Sequence, residues 1–233
     1  MSSDSLDLVA FARTFPWPHP GWSDTKLATQ LADALEMLLK SRTDFESNQA
    51  CNLLENTIIV QGGLRSCAPF FVPCLVKILE SELHESARLV VYDMLTELAM
   101  GVASEHAHTQ FSFRTSPFVH IIPDESSPPV FIELVTRLLL IQNVATYAKD
   151  IAYSSDAVRT AASTLLAAFT GYAGLVRYVL SPYVNELPHS SATRSDICRL
   201  MNSLRYRLSH SKNHGIHDSS LLMQRVLRER RLC

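Results

Sequence analysis

The chain has 233 residues, of which 47% are hydrophobic and 19% are charged, and its formal net charge is −2 at pH 7. This composition is typical of a globular protein that builds its own core, and it excludes an intrinsically disordered chain. The small net charge excludes a strong basic field, so composition does not favour binding to nucleic acid or to a membrane surface.

The cysteines are odd in number and irregularly spaced: Cys51, Cys67, Cys74, Cys198 and Cys233. Cys67 and Cys74 lie farther apart than the paired ligands of a zinc site, so we expect reduced cysteines that pack as small hydrophobic side chains. The N-terminus has no basic region before an apolar stretch, and no apolar stretch is long enough to cross a bilayer. The sequence therefore predicts a cytoplasmic protein without a membrane partner.

Residues 1–24 are expected to form an irregular N-terminal cap, with at most one helical turn at Leu6–Phe11. Residues that bar a regular helix follow that turn: Pro16, Pro18, Pro20 and Gly21. A proline inside a helix removes a backbone hydrogen bond and clashes with the preceding turn. Trp17 and Trp22 are expected to cover the open end of the core, as the terminal cap of a repeat array does.

Apolar residues then recur at helical spacing through most of the chain. The expected helices are at about 25–40, 48–60, 69–80, 84–100, 129–153, 156–169, 175–187, 193–209 and 219–231. Gly62-Gly63 is expected to end the second of these helices, and Gly101 the fourth, because glycine is favoured just after a helix. Asp24 is the expected N-cap of the first.

Residues 102–128 interrupt the helical pattern. They are rich in proline and phenylalanine and have no helical period. An insertion of this length in a compact domain is uncommon and is often functional. We expect an irregular loop insertion containing a short extended hairpin made by Phe111–Phe113 and Phe118–Ile121.

Paired amphipathic helices recur at a spacing of about 40 residues, which is the period of HEAT and armadillo arrays. The pairs are about 25–60, 68–101, 129–170 and 172–209. The sequence therefore predicts an all-α fold, a right-handed α-α superhelix of such pairs, in one repeat domain over residues 25–231. An irregular all-α bundle is the alternative that the same helices would serve.

Residues 59–101 carry a resemblance to bacterial HEAT-like repeat proteins. Their pattern is a helix ending in His-Gln-Gly-Thr, then Ala-Ser-Ala-x-x-Val-Pro-Phe-Leu, then a helix ending in Leu-Ala-x-Gly. The chain keeps these positions of that pattern: Gln61, Gly62, Ala68, Val72, Pro73, Leu75, Leu98, Ala99 and Gly101. It departs from the pattern at Val60 and Gly63. Such proteins are often encoded beside polymorphic secreted toxins and resemble immunity proteins.

The resemblance implies a non-enzymatic binding module that neutralises a cognate toxin by occluding its active site. The second helices of such pairs usually line the binding face, which here predicts a partner surface of acidic and amide residues: Gln49, Asn52, Glu55, Asn56, Asp93 and Glu97. Such a surface suits a basic, nuclease-like toxin. A general scaffold for another partner would have the same features.

Catalytic and metal chemistry have little support in the sequence. His106, His108 and His120 could bind a metal with Glu105 or Asp124, but no zinc-site spacing fixes them. Ser66-Cys67 follows two glycines without the motif of a nucleophile elbow. No nucleotide-binding or zinc-protease motif occurs. We therefore expect no enzyme, no metal and no cofactor.

A second class of function is a HEAT-like DNA-binding protein or DNA glycosylase. It would need a basic groove with aromatic residues and a carboxylate. The basic residues cluster near the C-terminus: Arg205, Arg207, Arg225, Arg228, Arg230 and Arg231. Arginines in a last helical turn also complement the helix dipole, and the acidic inner positions disfavour DNA. We expect nucleic acid not to be the partner.

Overall fold

The computed structural model describes residues 3–18, 24–60, 62–103, 107–115 and 118–168. Its helices are α1 (Ser3–Thr14), α2 (Asp24–Lys40), α3 (Asp44–Ile58), α4 (Ala68–Leu79), α5 (Glu85–Met100), α6 (Ile132–Ile141), α7 (Val144–Tyr153) and α8 (Asp156–Ala168). Its strands are β1 (Ile59–Val60), β2 (Gly63–Leu64), β3 (His108–Thr109), β4 (Phe111–Arg114), β5 (His120–Pro123) and β6 (Val130–Phe131). The helices expected beyond residue 168, the arginine cluster and Trp22 lie outside the described residues.

The described fold is mostly helical but not all-α. Its strands pair antiparallel into small two-stranded sheets, β1 with β2, β3 with β6 and β4 with β5. None of the described helices has the length and apolar character needed to cross a membrane. The expectation of an all-α chain is therefore correct for the main layers and wrong for the connections between them.

The second helices of successive pairs lie side by side, because α3 packs against α5 and α5 against α8. On the other layer α2 packs on α3, α4 on α5 and α6, and α7 on α8. The apolar stripes of these helices meet in one buried cluster that includes Leu31, Leu54, Phe71, Val91 and Leu165. This stacking places one face of α3 and α5 next to each other, where a partner surface was predicted.

α3 begins at Asp44, earlier than residue 48, where the periodicity placed its start. Thr43 is the N-cap, and its Oγ1 accepts a hydrogen bond of 3.3 Å from the backbone N–H of Glu46. The Glu46 carboxylate in turn accepts 2.7 Å from the N–H of Arg42. This reciprocal capping satisfies backbone donors that would otherwise lack a partner at the helix start.

The Gly62-Gly63 pair does not act as the helix stop that the sequence suggested. α3 ends at Ile58 and Ile59 is already extended. Gly62, with φ +76°, sits in the turn between β1 and β2, a conformation that favours glycine. That turn binds the end of α5, since Val102 donates to the Gly62 carbonyl at 3.1 Å and accepts from the Leu64 amide at 3.0 Å.

Gly101 has a steric role at the same junction. A Cβ at Gly101 would lie 2.5 Å from Cδ2 of Leu64, which is closer than non-bonded atoms approach. The two ends of the segment that carries the HEAT-like resemblance therefore meet in space, and glycine at 101 lets them do so.

The single helix expected at 129–153 is divided into α6 and α7. The turn falls at Gln142 and Asn143, between Ile141 and Val144. The side chain of Asn143 donates to the Leu139 carbonyl at 2.7 Å. A short polar side chain that bonds backbone in this way competes with continuation of the helix, and apolar periodicity alone does not reveal it.

The N-terminal segment is more regular than expected, because α1 occupies Ser3–Thr14. Arg13 ties it to α2 through ion pairs of 3.1 Å with both Asp33 and Glu36. Trp17 is 1% exposed and its indole donates to the Ala12 carbonyl at 2.8 Å. Trp17 therefore covers the core, as its sequence context suggested.

The expected hairpin in the insertion is present. β4 and β5 pair from Phe111↔Pro123 to Arg114↔His120. β5 packs against α4, and the ring of Phe118 meets Phe11 of α1 edge-on at 5.0 Å. The insertion is therefore anchored on the first and fourth helices.

Candidate functional site

Helical spacing decides which side chains of α3 face α5. Successive residues turn by about 100°, so Cys51 and Glu55 lie one above the other on α3, as do Asp93 and Glu97 on α5. Because the two helices pack together, both lines lie near each other, and the charges of Asp93 and Glu97 reach Cys51. We call Cys51, Glu55, Asp93 and Glu97 the acidic seam.

A hydrogen bond joins the cysteine of the seam to one of its carboxylates. The Cys51 thiol donates to Oε1 of Glu55 at 3.2 Å. Glu55 and Glu97 are half-buried, whereas Asp93 is exposed. Within the described ranges, none of these three carboxylates forms a salt bridge.

The electrostatics of the seam follow from burial and from this crowding of carboxylates. Although Asp93 is exposed as a whole residue, partial desolvation of its carboxyl by the neighbouring helix raises its pKa, and the charge of Glu55 raises it further. Burial also raises the pKa of Glu97, with added repulsion from Glu55 and Asp93. At Cys51, burial followed by the bond to Glu55 raises the pKa to about 12, so the thiol stays protonated. Burial is the largest cause of all three shifts, and the smaller contribution from neighbouring carboxylates indicates a negative potential that favours protons and other cations.

The remaining predicted partner residues lie beside the seam, not in it. Gln49 turns toward α2 and lines a cavity of about 450 Å³ between α2 and α3. Asn52 and Asn56 are exposed, and the Asn56 amide donates to the Asn52 carbonyl at 2.7 Å. The fold thus brings together the three predicted carboxylates and leaves the amides on the flank of α3.

The sequence spacing indicates that Cys51 belongs to the same helix face as Glu55, although Cys51 was not among the predicted partner residues. The residue lies four before Glu55, the spacing at which helical side chains touch. Met100 is also on this face of α5, seven residues after Asp93, and it is 62% exposed. The seam therefore continues into an exposed apolar side chain at the end of α5.

The histidines weighed as metal ligands have other roles where they are described. The His108 ring stacks on Phe131 with centroids 4.3 Å apart. His120 is buried, and Asp124 accepts hydrogen bonds from Ser126 in a turn. Among described residues no group of three potential ligands gathers; His106 and Glu105 lie outside those residues.

Ser66 and Cys67 are both engaged in structural hydrogen bonds. The Ser66 hydroxyl donates to the Pro18 carbonyl at 2.7 Å. Cys67 is fully buried with its thiol 3.7 Å from the Thr57 carbonyl, and burial raises its pKa to about 12. A protonated, buried thiol is a poor nucleophile.

A buried polar network on the opposite side of α5 was not predicted. Arg88 donates to Oδ2 of Asp150 at 2.7 Å, and the Tyr92 hydroxyl donates to the same oxygen at 2.6 Å. The other oxygen of Asp150 accepts from Ser154 at 3.0 Å. Burial and the Asp150 charge raise the pKa of Tyr92, so the phenol keeps its proton as the donor. The partners are far apart in sequence, which conceals the network from local reading.

No family model matches this chain, and no curated protein or solved structure is significantly similar to it. The resemblance of residues 59–101 to HEAT-like repeat proteins therefore stays a prediction.

Proposed function

We propose that this chain is a non-enzymatic binding module whose acidic seam receives a basic surface of a partner protein. The observation that carries the proposal is the convergence of Glu55, Asp93 and Glu97 without a cation among the described residues. Folding brings these like charges together and leaves them unneutralised. An arginine or lysine of a partner would remove that repulsion, so the seam favours the complex over the free protein.

The surroundings of the seam supply what a protein interface needs besides charge. Exposed Asn52 and Asn56 provide hydrogen-bonding groups at the rim, and Met100 provides a flexible apolar contact at one end. A stable interface covers about 800 Å² per partner, much more than four side chains. We infer that the partner also covers neighbouring surface of α3 and α5, the second helices of successive pairs.

The class of partner follows from the predicted family. The side-by-side α3, α5 and α8 suit a right-handed superhelix of HEAT-like pairs, and the segment with the immunity-protein resemblance includes Asp93 and Glu97. A basic nuclease-like toxin is thus the proposed partner, inhibited by occlusion of its active site. A negative seam repels a phosphate backbone, so this face disfavours the DNA-binding alternative.

Co-expression with the product of the neighbouring gene tests this proposal. The chain is expected to restore growth of cells that produce that product and to co-purify with it at physiological salt. A product that is not toxic, or that is toxic and neither rescued nor bound, would overturn the immunity function. Retention of the purified chain on DNA-cellulose at physiological salt would favour the DNA-binding alternative instead.

A further inference from the structure

The β4–β5 hairpin is attached to the helices through a small aromatic cluster. The His120 ring lies edge-on to Phe11 of α1, with centroids 4.6 Å apart, and 5.3 Å from Phe118. The ring of Phe15, which directly follows α1, has its centroid 6.3 Å from that of His120. His120 is 4% exposed, so the imidazole is enclosed between hairpin and helix.

The hydrogen bond of the imidazole fixes where an added proton must go. Nδ1 lies 2.7 Å from the carbonyl oxygen of Phe118, which can only accept, so Nδ1 carries the hydrogen of the neutral ring. A second proton has to be placed on Nε2. Within the described part of the chain, Nε2 has no protein acceptor that would stabilise this proton, and the imidazole ring as a whole lies among the rings of Phe11, Phe118 and Phe15.

We propose that the hairpin is a pH-sensitive latch, held on α1 and α4 by neutral His120 and released from them when the imidazole is protonated. Two observations carry the proposal: the imidazole forms, together with Phe118, the contact between hairpin and α1, and a cation faces it from within the hairpin. Arg114 is directly opposite His120 in the strand register. A second positive charge at this position is therefore both desolvated and repelled.

The charges on the neighbouring elements do not reverse this effect. On α1, Arg13 is paired with Asp33 and Glu36, and Asp7 is exposed to water. On α4, Lys77 and Glu80 form an ion pair of 2.8 Å. Of these groups, none provides a buried carboxylate beside His120.

Aromatic rings attract cations, which opposes release of the protonated imidazole. Burial is the largest influence and lowers the pKa of His120 below its ordinary 6.5; the hydrogen bond to the Phe118 carbonyl opposes this in part, and the charge of Arg114 adds to it. The sign of the linkage follows. A histidine with a lowered folded-state pKa stabilises the docked hairpin at neutral pH, and this stabilisation is lost as the pH falls below about 6.5.

Release would uncover apolar surface that is otherwise covered. Phe118 and Val119 of the hairpin and Val76 of α4 line a cavity of about 270 Å³ that opens when the hairpin leaves. The rings of Phe11 and Phe15 would also be exposed. The latch is separate from the acidic seam, which lies on α3 and α5. The outcome of a test of the latch therefore does not depend on the proposed function.

Hydrogen exchange of the full chain between pH 7.5 and 5.0 tests the latch. After correction for the intrinsic pH dependence of exchange, amides of β4 and β5 are expected to exchange faster in wild type below about pH 6.5. The rise is about tenfold per pH unit until the folded-state pKa of His120 is reached. Amides of α2 and α5 are expected to remain protected throughout this range.

His120→Phe keeps the aromatic packing without a titrating group, and its hairpin exchange is expected to be independent of pH. His108→Phe, at an exposed ring outside the latch, is the matched control and is expected to behave as wild type. Arg114→Gln brings the folded-state pKa of His120 closer to its unfolded value and is expected to weaken the rise. This third variant tests the latch even if His120→Phe does not fold.

Three results would overturn the latch. The first is wild-type hairpin exchange that does not change with pH. The second is a rise in hairpin exchange with falling pH in His120→Phe, or in Arg114→Gln, that equals the rise in wild type. The third is a simultaneous loss of protection in α2 and α5, which would indicate general acid unfolding rather than release of the hairpin.

Discussion

The two sides of α5 differ in whether their charged side chains are paired with opposite charges. Facing α7, Arg88 and Tyr92 both bond to Asp150, and the charges are paired within the fold. Facing α3, Asp93 and Glu97 meet another carboxylate, Glu55, and repel it. One helix thus carries a neutralised buried network and an unneutralised seam.

This difference separates a structural role from a binding role. Paired groups with satisfied hydrogen bonds contribute to holding α5 on α7, and loss of one partner leaves the other buried and unpaired. Like charges that folding gathers without a counter-ion do not stabilise the fold. A positive charge of a partner would remove their repulsion. We therefore assign partner binding to the side of α5 that faces α3.

The largest expected effect comes from breaking the paired side. Asp150→Ala leaves Arg88 partly buried without its carboxylate and Tyr92 without an acceptor, and it should lower the free energy of unfolding by about 2–4 kcal/mol. Urea denaturation measures this loss. The matched control is Asp33→Ala, which removes a carboxylate from the exposed ion pair with Arg13 and should cost less than about 1 kcal/mol. Equal losses in the two variants would remove the distinction between the two sides.

Neutralising the seam should have a smaller effect of the opposite sign. Asp93→Asn with Glu97→Gln removes repulsion and should stabilise the free chain by a few tenths of a kcal/mol at pH 7, because these groups are partly solvated. A raised folded-state pKa means that the native carboxyls bind protons more readily than the unfolded ones. The advantage of the variant should therefore shrink as the pH falls toward 4 and wild type protonates.

Thermal unfolding of wild type and of this double variant at several pH values measures the seam effect. A matched change of exposed acids elsewhere, Glu82→Gln with Glu125→Gln, should leave stability unchanged. A seam variant less stable than wild type at pH 7 would mean that these carboxylates stabilise the fold, contrary to our interpretation.

The smallest effect concerns Cys51. Its thiol pKa of about 12 depends in part on the neighbouring carboxylates, so Glu55→Gln should raise the thiolate fraction and speed alkylation by iodoacetamide at pH 8. The rate is followed for the peptide that contains Cys51, with Cys67 as an internal reference, since burial alone dominates the shift there. An unchanged or slower reaction at Cys51 would show that the seam potential does not reach the thiol.

The sequence predicts those features of the fold that depend on residues close together in the chain. Apolar periodicity located α2, α5 and α8 closely, and it indicated Asp93 and Glu97 as neighbours on one face. The phenylalanines of the insertion also indicated the hairpin of β4 and β5. These features depend on residues a few positions apart, where spacing and direction are set by the backbone.

Features that depend on distant residues were not predicted. Arg88 bonds to Asp150, which lies 62 residues away in the sequence. The role of Gly101 depends on Leu64, which lies in a different element of the chain. Such contacts arise only when helices pack, so a single sequence without relatives gives no signal for them.

Affinity for the proposed toxin partner tests the central claim most directly. Glu55→Gln, Asp93→Asn and Glu97→Gln are combined and compared with Asp7→Asn, Glu82→Gln and Glu125→Gln, which change the same number of charges on exposed sites away from the seam. Calorimetric titration at physiological salt should show a loss of about 10- to 100-fold for the seam variant and less than about threefold for the control. Equal affinities for the two variants would contradict the assignment of the seam as the partner surface.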